Sequence, residues 1–308
     1  MKNESDDFID DSKYALDAWI REDYKTAYKV LLPLAEQEDA GAQFLMGLMY
    51  SSGLGVSQDI KTAFKWFRLA ADQGDPDAQY VLGVSYDWGE TVPKGCLGEG
   101  VPKDYKEAFK WYRLSAELGY SKAQFNLGEM YREGFIIAKD FIRATKWYRL
   151  AAEQGLAEAQ CNLGLMYEKG QGVKQNYKKA VKWYRLSAKQ GYPLAESNLG
   201  VMYENGQGVK TDYEKAIKWY RLAVKQGISG AQLNLGFMYE SGKGIMQDHK
   251  EAAKLYRLSA EQGNNVAQNY LGVLYVLGHG VSQNYVLAHM WFSLSGSRGL
   301  KDGVKKEL

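Results

Sequence analysis

One alanine recurs through this chain at a fixed spacing. Ala42, Ala78, Ala123, Ala159, Ala195, Ala231 and Ala267 are 36 residues apart at every step but one, the 45-residue step from Ala78 to Ala123. Self-similarity of that period marks a stack of one supersecondary unit rather than a globule around a single core. The nine extra residues fall near 89–97, inside "GETVPKGCLGEG", where Gly and Pro mark a loop and added length costs little closure entropy. Seven units therefore tile residues 42–302. Upstream, Tyr14, Ala27, Leu31 and Ala35 stand 36 residues before Tyr50, Ala63, Phe67 and Ala71, so 12–41 reads as a degenerate N-terminal unit. Residues 1–11 form an acidic N-terminal tail, and 303–308 read as the start of an incomplete C-terminal cap.

Each unit reads as two short helices. In the fourth, Ala159, Leu163 and Tyr167 are four apart and share a face. Gly170 ends that helix and Gly172 lets the chain reverse. The second helix, "YKKAVKWYRLSAKQG", turns Ala180, Trp183, Tyr184 and Ser187 or Ala188 inward and stops at Gly191. Gly164 recurs as Gly47, Gly83, Gly128, Gly200, Gly236 and Gly272, always inside the first helix. Glycine there costs about 1 kcal/mol relative to alanine, which predicts a close approach of the second helix. The repeated Gly-x-Gly after the first helix resembles a phosphate cradle, but a dinucleotide fingerprint must follow a strand. No strand pattern occurs, so Gly170-Gln171-Gly172 reads as a turn. The expectation is an all-α chain of about seventeen helices.

The pattern A-x-x-x-L-G-x-x-Y-x-x-G-x-G-V, followed by A-x-x-W-Y-x-x-A-A-x-x-G, resembles the Sel-one-like repeat, of the tetratricopeptide-repeat-like superfamily. The resemblance covers at least residues 42–302. It implies a right-handed α/α superhelix, a solenoid of about seven 36-residue helix-turn-helix repeats, serving as an adaptor for other proteins. Two units depart from the pattern: Ile136 replaces the second loop glycine of the third, and Leu255 replaces Trp in the sixth.

Composition narrows the function. Six of eight tryptophans (Trp66, Trp111, Trp147, Trp183, Trp219, Trp291) hold one repeat position and read as core. A net charge of +2, from 39 basic and 37 acidic residues, does not suggest a nucleic-acid binder. The Lys/Arg pairs of the second helices (Lys182 and Arg185 in the fourth unit) read as a solvated outer ladder. Two cysteines, Cys96 and Cys161, make no disulfide framework, and the paired cysteines of some relatives are missing. The N-terminus has no apolar stretch and no membrane insertion is expected, which places the chain in the cytoplasm as written, or in the periplasm or outside the cell if a signal peptide has been removed. His249, His279 and His289 form no metal or catalytic motif, so no cofactor, metal or catalytic residue is expected.

The resemblance implies that first helices line a concave groove. Its expected partner-binding residues are an amide ladder, Asn126, Asn162, Asn198 and Asn234, able to pair with any extended peptide backbone through donor and acceptor alike. Phe44, Tyr80 and Phe125 make its N-terminal end aromatic, and Glu129, Glu168, Glu204 and Glu240 make it acidic. The expected partner is another protein or peptide segment with Lys or Arg in its middle, and the apolar C-terminal repeat also suits end-to-end self-association. The leading function is a non-enzymatic scaffold or adaptor. One alternative is an immunity protein neutralising a toxic bacterial effector, such as a secreted lipase-type toxin. A cell-envelope enzyme, a role claimed for cysteine-rich relatives, is supported least.

Overall fold

A computed structural model describes residues 13–89, 101–134 and 136–296. The acidic tail, 303–308, Cys96 and nearly all of the insertion lie outside them, as does the place for a seventeenth helix. Sixteen α-helices and no strand occur among the described residues. The chain forms an all-α solenoid in two compact units, Met1–Leu156 and Ala157–Leu308. In the N-terminal unit, α1 (13–20) and α2 (Tyr24–Glu36) precede the pairs α3 (Ala40–Ser52) and α4 (Ile60–Asp72), α5 (Pro76–Trp88) and α6 (Tyr105–Glu117), and α7 (Ser121–Glu133) and α8 (Phe141–Glu153). In the C-terminal unit the pairs are α9 (Ala157–Lys169) and α10 (Tyr177–Lys189), α11 (Pro193–Asn205) and α12 (Tyr213–Lys225), α13 (Ser229–Ser241) and α14 (His249–Glu261), and α15 (Asn265–Leu277) and α16 (Tyr285–Gly296).

The helix ends follow from local chemistry. Second helices begin at Asp59, Asp104, Asp140, Asn176, Asp212 and Asp248, whose side chains accept from backbone N–H groups of the first turn. First helices end on left-handed glycines, among them Gly53, Gly134, Gly206 and Gly242. The Gly-x-Gly loop is a turn, with Gly170 and Gly172 at φ +69° and +68°. Its second glycine also packs on the start of the preceding second helix: a Cβ on Gly208 would lie 2.4 Å from the Tyr177 carbonyl.

The glycine inside each first helix faces an aromatic ring. A Cβ on Gly83, Gly164 or Gly200 would sit 2.4–2.7 Å from ring carbons of Tyr112, Tyr184 or Tyr220. The expected close approach is therefore present, but the ring is not the tryptophan. Of the six repeat-position tryptophans only Trp111 is buried; Trp66, Trp147, Trp183, Trp219 and Trp291 are half-buried. The fully buried ring belongs to the next residue, at Phe67, Tyr112, Tyr148, Tyr184, Tyr220 and Tyr256. One helical step turns the side chain by about 100°, which points the tyrosine into the glycine notch and leaves the tryptophan at its margin. Two of the six are covered by cations: Arg68 lies 5.0 Å over Trp111 and Lys146 5.9 Å over Trp147.

A polar staple that the periodicity reading passed over ties successive repeats. In the N-terminal unit Gln43, Gln79 and Gln124, all buried, donate to the carbonyls of Ala35, Ala71 and Ala116 at the end of the preceding second helix. Gln43 and Gln124 also accept from Gln73 and Gln154, the C-cap residues of their own repeats, at 2.8 Å each. In the C-terminal unit Gln160 and Gln232 accept likewise from Gln190 and Gln262, while Gln268 donates to the Ala260 carbonyl. The glutamine-to-carbonyl bonds join groups that packing has removed from water, where an unmade bond is costly, whereas the C-cap glutamines donate from the exposed side.

Candidate partner-binding surface

In the C-terminal unit three of the four first helices, α9, α11 and α13, set one carboxylate beside the tyrosine of their own second helix. Tyr184 donates to Glu168 at 2.6 Å, Tyr220 to Glu204 at 2.7 Å, and Tyr256 to Glu240. These rings are fully buried, so each hydroxyl has lost its water and the carboxylate replaces it. Burial first, and the carboxylate second, hold all three phenols well above their usual range. Asn234, beside the Tyr220 hydroxyl, opposes that rise. Asn198 instead donates to Cys161 Sγ at 3.7 Å, and burial pushes that thiol up to about 12. Asn162 is half-buried at the same register of α9.

The N-terminal unit reaches the same end by varied means. Tyr112 donates to Asp87 at 3.3 Å, and burial raises its pKa against the influence of Asn126. In α7 the register of Glu168 is held by Arg132, and Glu129, one turn earlier, accepts from Tyr148 instead. Arg132 bridges Glu129 and Glu133 at 2.6 Å each and reaches the Tyr148 hydroxyl at 3.1 Å. Burial opposes its charge, but these acceptors outweigh burial and raise its pKa. The first and last repeats complete the rule. Phe67 and Phe292 occupy the tyrosine position, and Ser51 and Val276 the carboxylate position. Where no hydroxyl is buried, no carboxylate stands opposite.

The acidic positions thus have a structural task in addition to their place on the surface. Glu129 and Glu168 keep 28% and 20% side-chain exposure, so both side chains still border solvent. The aromatic positions are similarly shared. Phe44 packs on Phe67, Tyr80 on Tyr112 and Phe125 on Tyr148, with ring centroids 5.6, 6.0 and 5.9 Å apart.

Between α5, α6 and α7 opens a cavity of ≈ 490 Å³. Rings of Tyr80, Trp88 and Tyr105 wall it, with Asp87, Asn126 and Glu129 among its polar groups. It gathers three expected residues, Tyr80, Asn126 and Glu129, whereas Phe44 and Phe125 lie elsewhere on the first helices. Burial raises the Asp87 pKa, against the hydrogen bond from Tyr112 and the charge of Lys103. Trp88, 55% exposed, is a wall the sequence reading missed. The available signal was its irregularity, for Trp88 is one of two tryptophans outside the repeat position. Among the described residues no three His, Cys, Asp or Glu side chains are placed to hold a metal, and no helix is long and apolar enough to cross a membrane.

Helix pairs stacked through a small-residue notch, with loops closed by left-handed glycines, define a tetratricopeptide-like α/α repeat protein. The Sel1 repeat model matches residues 40–75, 76–120, 121–156, 157–192, 193–228, 229–264 and 265–300, and the chain belongs to the Sel1 repeat family. It is similar to c5321, described as a protective antigen present in uropathogenic Escherichia coli strains, at 38% identity and a TM-score of 0.73. That match covers 88% of this chain and 56% of the antigen, so this chain spans little more than half of that relative. A Sel1 repeat protein from Oxalobacter formigenes is similar at 34% identity and a TM-score of 0.69, over 89% of this chain and 77% of that one. The immunity protein Pa5087 from Pseudomonas aeruginosa, at 21% identity and a TM-score of 0.45 over 71% of this chain and 80% of its own, is too distant to bear on function. No curated protein matches the sequence. A Sel1 repeat array is a scaffold type of protein–protein interaction, generally without catalysis.

Proposed function

We propose that this chain is a non-enzymatic adaptor that holds a partner protein on its first-helix face, with the α5–α6–α7 cavity as principal anchor point. That cavity carries the reading: it offers three aromatic rings, an amide and carboxylates in a concave site, and no nucleophile–base pair lines it. Large rings around a few orienting polar groups are what side-chain recognition requires. The half-buried amides of Asn162, Asn198 and Asn234 extend the same reading to the C-terminal unit, where they suit the backbone of an extended segment.

A photo-crosslinking phenylalanine analogue placed at Tyr80, at Trp88 or, as control, at Lys146 on α8 tests this in the source cells. The expected result is an adduct with one partner protein from positions 80 and 88 and none from 146. Adducts from position 146 alone would place the partner on the second helices and end this reading. With the partner in hand, Asn162→Ala and Asn198→Ala should each weaken binding by roughly 1–3 kcal/mol per lost buried amide contact.

A further inference from the structure

The second helices that carry the Lys/Arg pair also carry carboxylates, with one exception. Asp72 in α4, Glu117 in α6 and Glu251 in α14 pair with Arg68, Arg113 and Lys254 at 3.0, 3.7 and 3.3 Å. Helices α8 and α12 contain Glu153 and Glu214. Helix α10, YKKAVKWYRLSAK, has five cations and no carboxylate. Four of them, Lys178, Lys182, Arg185 and Lys189, line a cleft of ≈ 440 Å³ together with Val181, Leu186, Gly208 and Val209. Arg185 is held at its edge by the Tyr203 hydroxyl at 2.7 Å. Lys178, Lys182 and Lys189 form no ion pair among the described residues.

This arrangement works against the free protein. Like charges four apart on a helix repel, as between Lys178 and Lys182 and between Arg185 and Lys189. Lys178 and Lys179 also stand in the first turn, at the positive end of the helix dipole. An anionic ligand relieves both strains at once. The strip from Lys178 to Lys189 is on the order of 16 Å long at helical rise, a match for about five residues of extended chain. The other side chains lining the cleft are aliphatic, so an apolar side chain fits among the charges, and no ring lines it on which a nucleic-acid base would stack.

We infer that the α10 cleft docks a short acidic segment of a partner protein, its carboxylates on Lys178, Lys182 and Lys189 and an aliphatic side chain against Leu186 and Val209. The surface is independent of the first-helix cavity and does not rest on it. Fluorescence anisotropy with the purified full chain and a labelled ten-residue peptide of alternating Glu and Leu tests it, beside a Gln/Leu peptide, a single-stranded DNA 15-mer and phosphatidylserine vesicles. Saturable binding of the Glu/Leu peptide is expected, at least tenfold weaker in the double variant Lys178→Glu with Lys182→Glu and unchanged in Lys254→Glu on α14. The milder Lys189→Ala should weaken it a few-fold, and circular dichroism should show all variants folded. Absence of saturable binding, equal loss in the α10 and α14 variants, equal binding of the Gln/Leu peptide, or tighter binding of DNA or vesicles would overturn the inference.

Discussion

The two compact units build the same helix pair with different polar fittings. In the C-terminal unit Glu168, Glu204 and Glu240 hold one register and each takes the hydroxyl of its own tyrosine. The N-terminal unit improvises: Ser51 holds the carboxylate position of the repeat with Phe67, the shorter Asp87 reaches Tyr112 at 3.3 Å, and Glu129 serves in place of the position occupied by Arg132. Its staple is broken as well. Leu118 stands where five other repeats have Gln73, Gln154, Gln190, Gln226 and Gln262, and Gln79 Oε1 is buried without a partner, as is Gln268 Oε1 in the last repeat of the C-terminal unit. The alanines, the notch glycine and the buried ring are common to both units. Packing therefore tolerates no variation where atoms touch on all sides, whereas a hydrogen bond is satisfied by any acceptor of suitable reach. The freedom has a use, for the ≈ 490 Å³ cavity lies among the varied helices.

The largest test concerns what the units share. Gly83→Ala and Gly200→Ala place a Cβ 2.5 and 2.4 Å from the rings of Tyr112 and Tyr220. Both should cost about 1–3 kcal/mol by overpacking, despite alanine's better helix propensity. Thermal unfolding should show matching losses in the two units; a loss in one alone would mean that the notch is not the common element.

The carboxylate rule is tested next. Glu204→Val should destabilise by about 1–3 kcal/mol, because the Tyr220 hydroxyl keeps its burial and loses its acceptor. Adding Tyr220→Phe copies the Phe292 and Val276 arrangement and should recover most of the loss in urea unfolding. A double variant no better than the single would break the rule.

Smaller effects should come from the staple. Glu196, 4% exposed, takes the glutamine position in α11 and accepts from Gln226 at 2.9 Å. Burial raises its pKa in spite of that bond. A carboxyl raised on folding contributes stability that is full below its unfolded pKa of about 4.3 and is lost as pH rises through the folded value. Glu196→Gln should therefore be more stable than the parent at pH 7, by about 1 kcal/mol. The advantage should shrink toward pH 4.5, and a pH-independent difference in urea midpoints would contradict it. The smallest gain should come from Leu118→Gln, which offers Gln79 Oε1 a donor for about 0.5–1.5 kcal/mol. A Leu118→Gln protein with unchanged melting temperature would show that Gln79 does not need the missing cap residue.

Periodicity alone determined the helix pair, the repeat count and the turn at each Gly-x-Gly, because these depend on spacing along one chain. It also located the notch glycines, since a glycine inside a helix needs a neighbour to justify it. What it misjudged was angular. Trp183 and Tyr184 are adjacent and equally apolar to a pattern, and only the packed second helix shows which one enters the notch. The site was legible in part for the same reason. Tyr80, Asn126 and Glu129 could be named from their repeat positions, but their meeting with Trp88 and Tyr105 joins three helices across an insertion. The expected acidic and amide ladders were visible as columns of letters, while the hydroxyls and the thiol that bond several of their members belong to other helices. Spacing assigns a residue to a face; which atom it meets there depends on residues 16 to 37 positions away, brought within hydrogen-bond reach by burial of the rings between them.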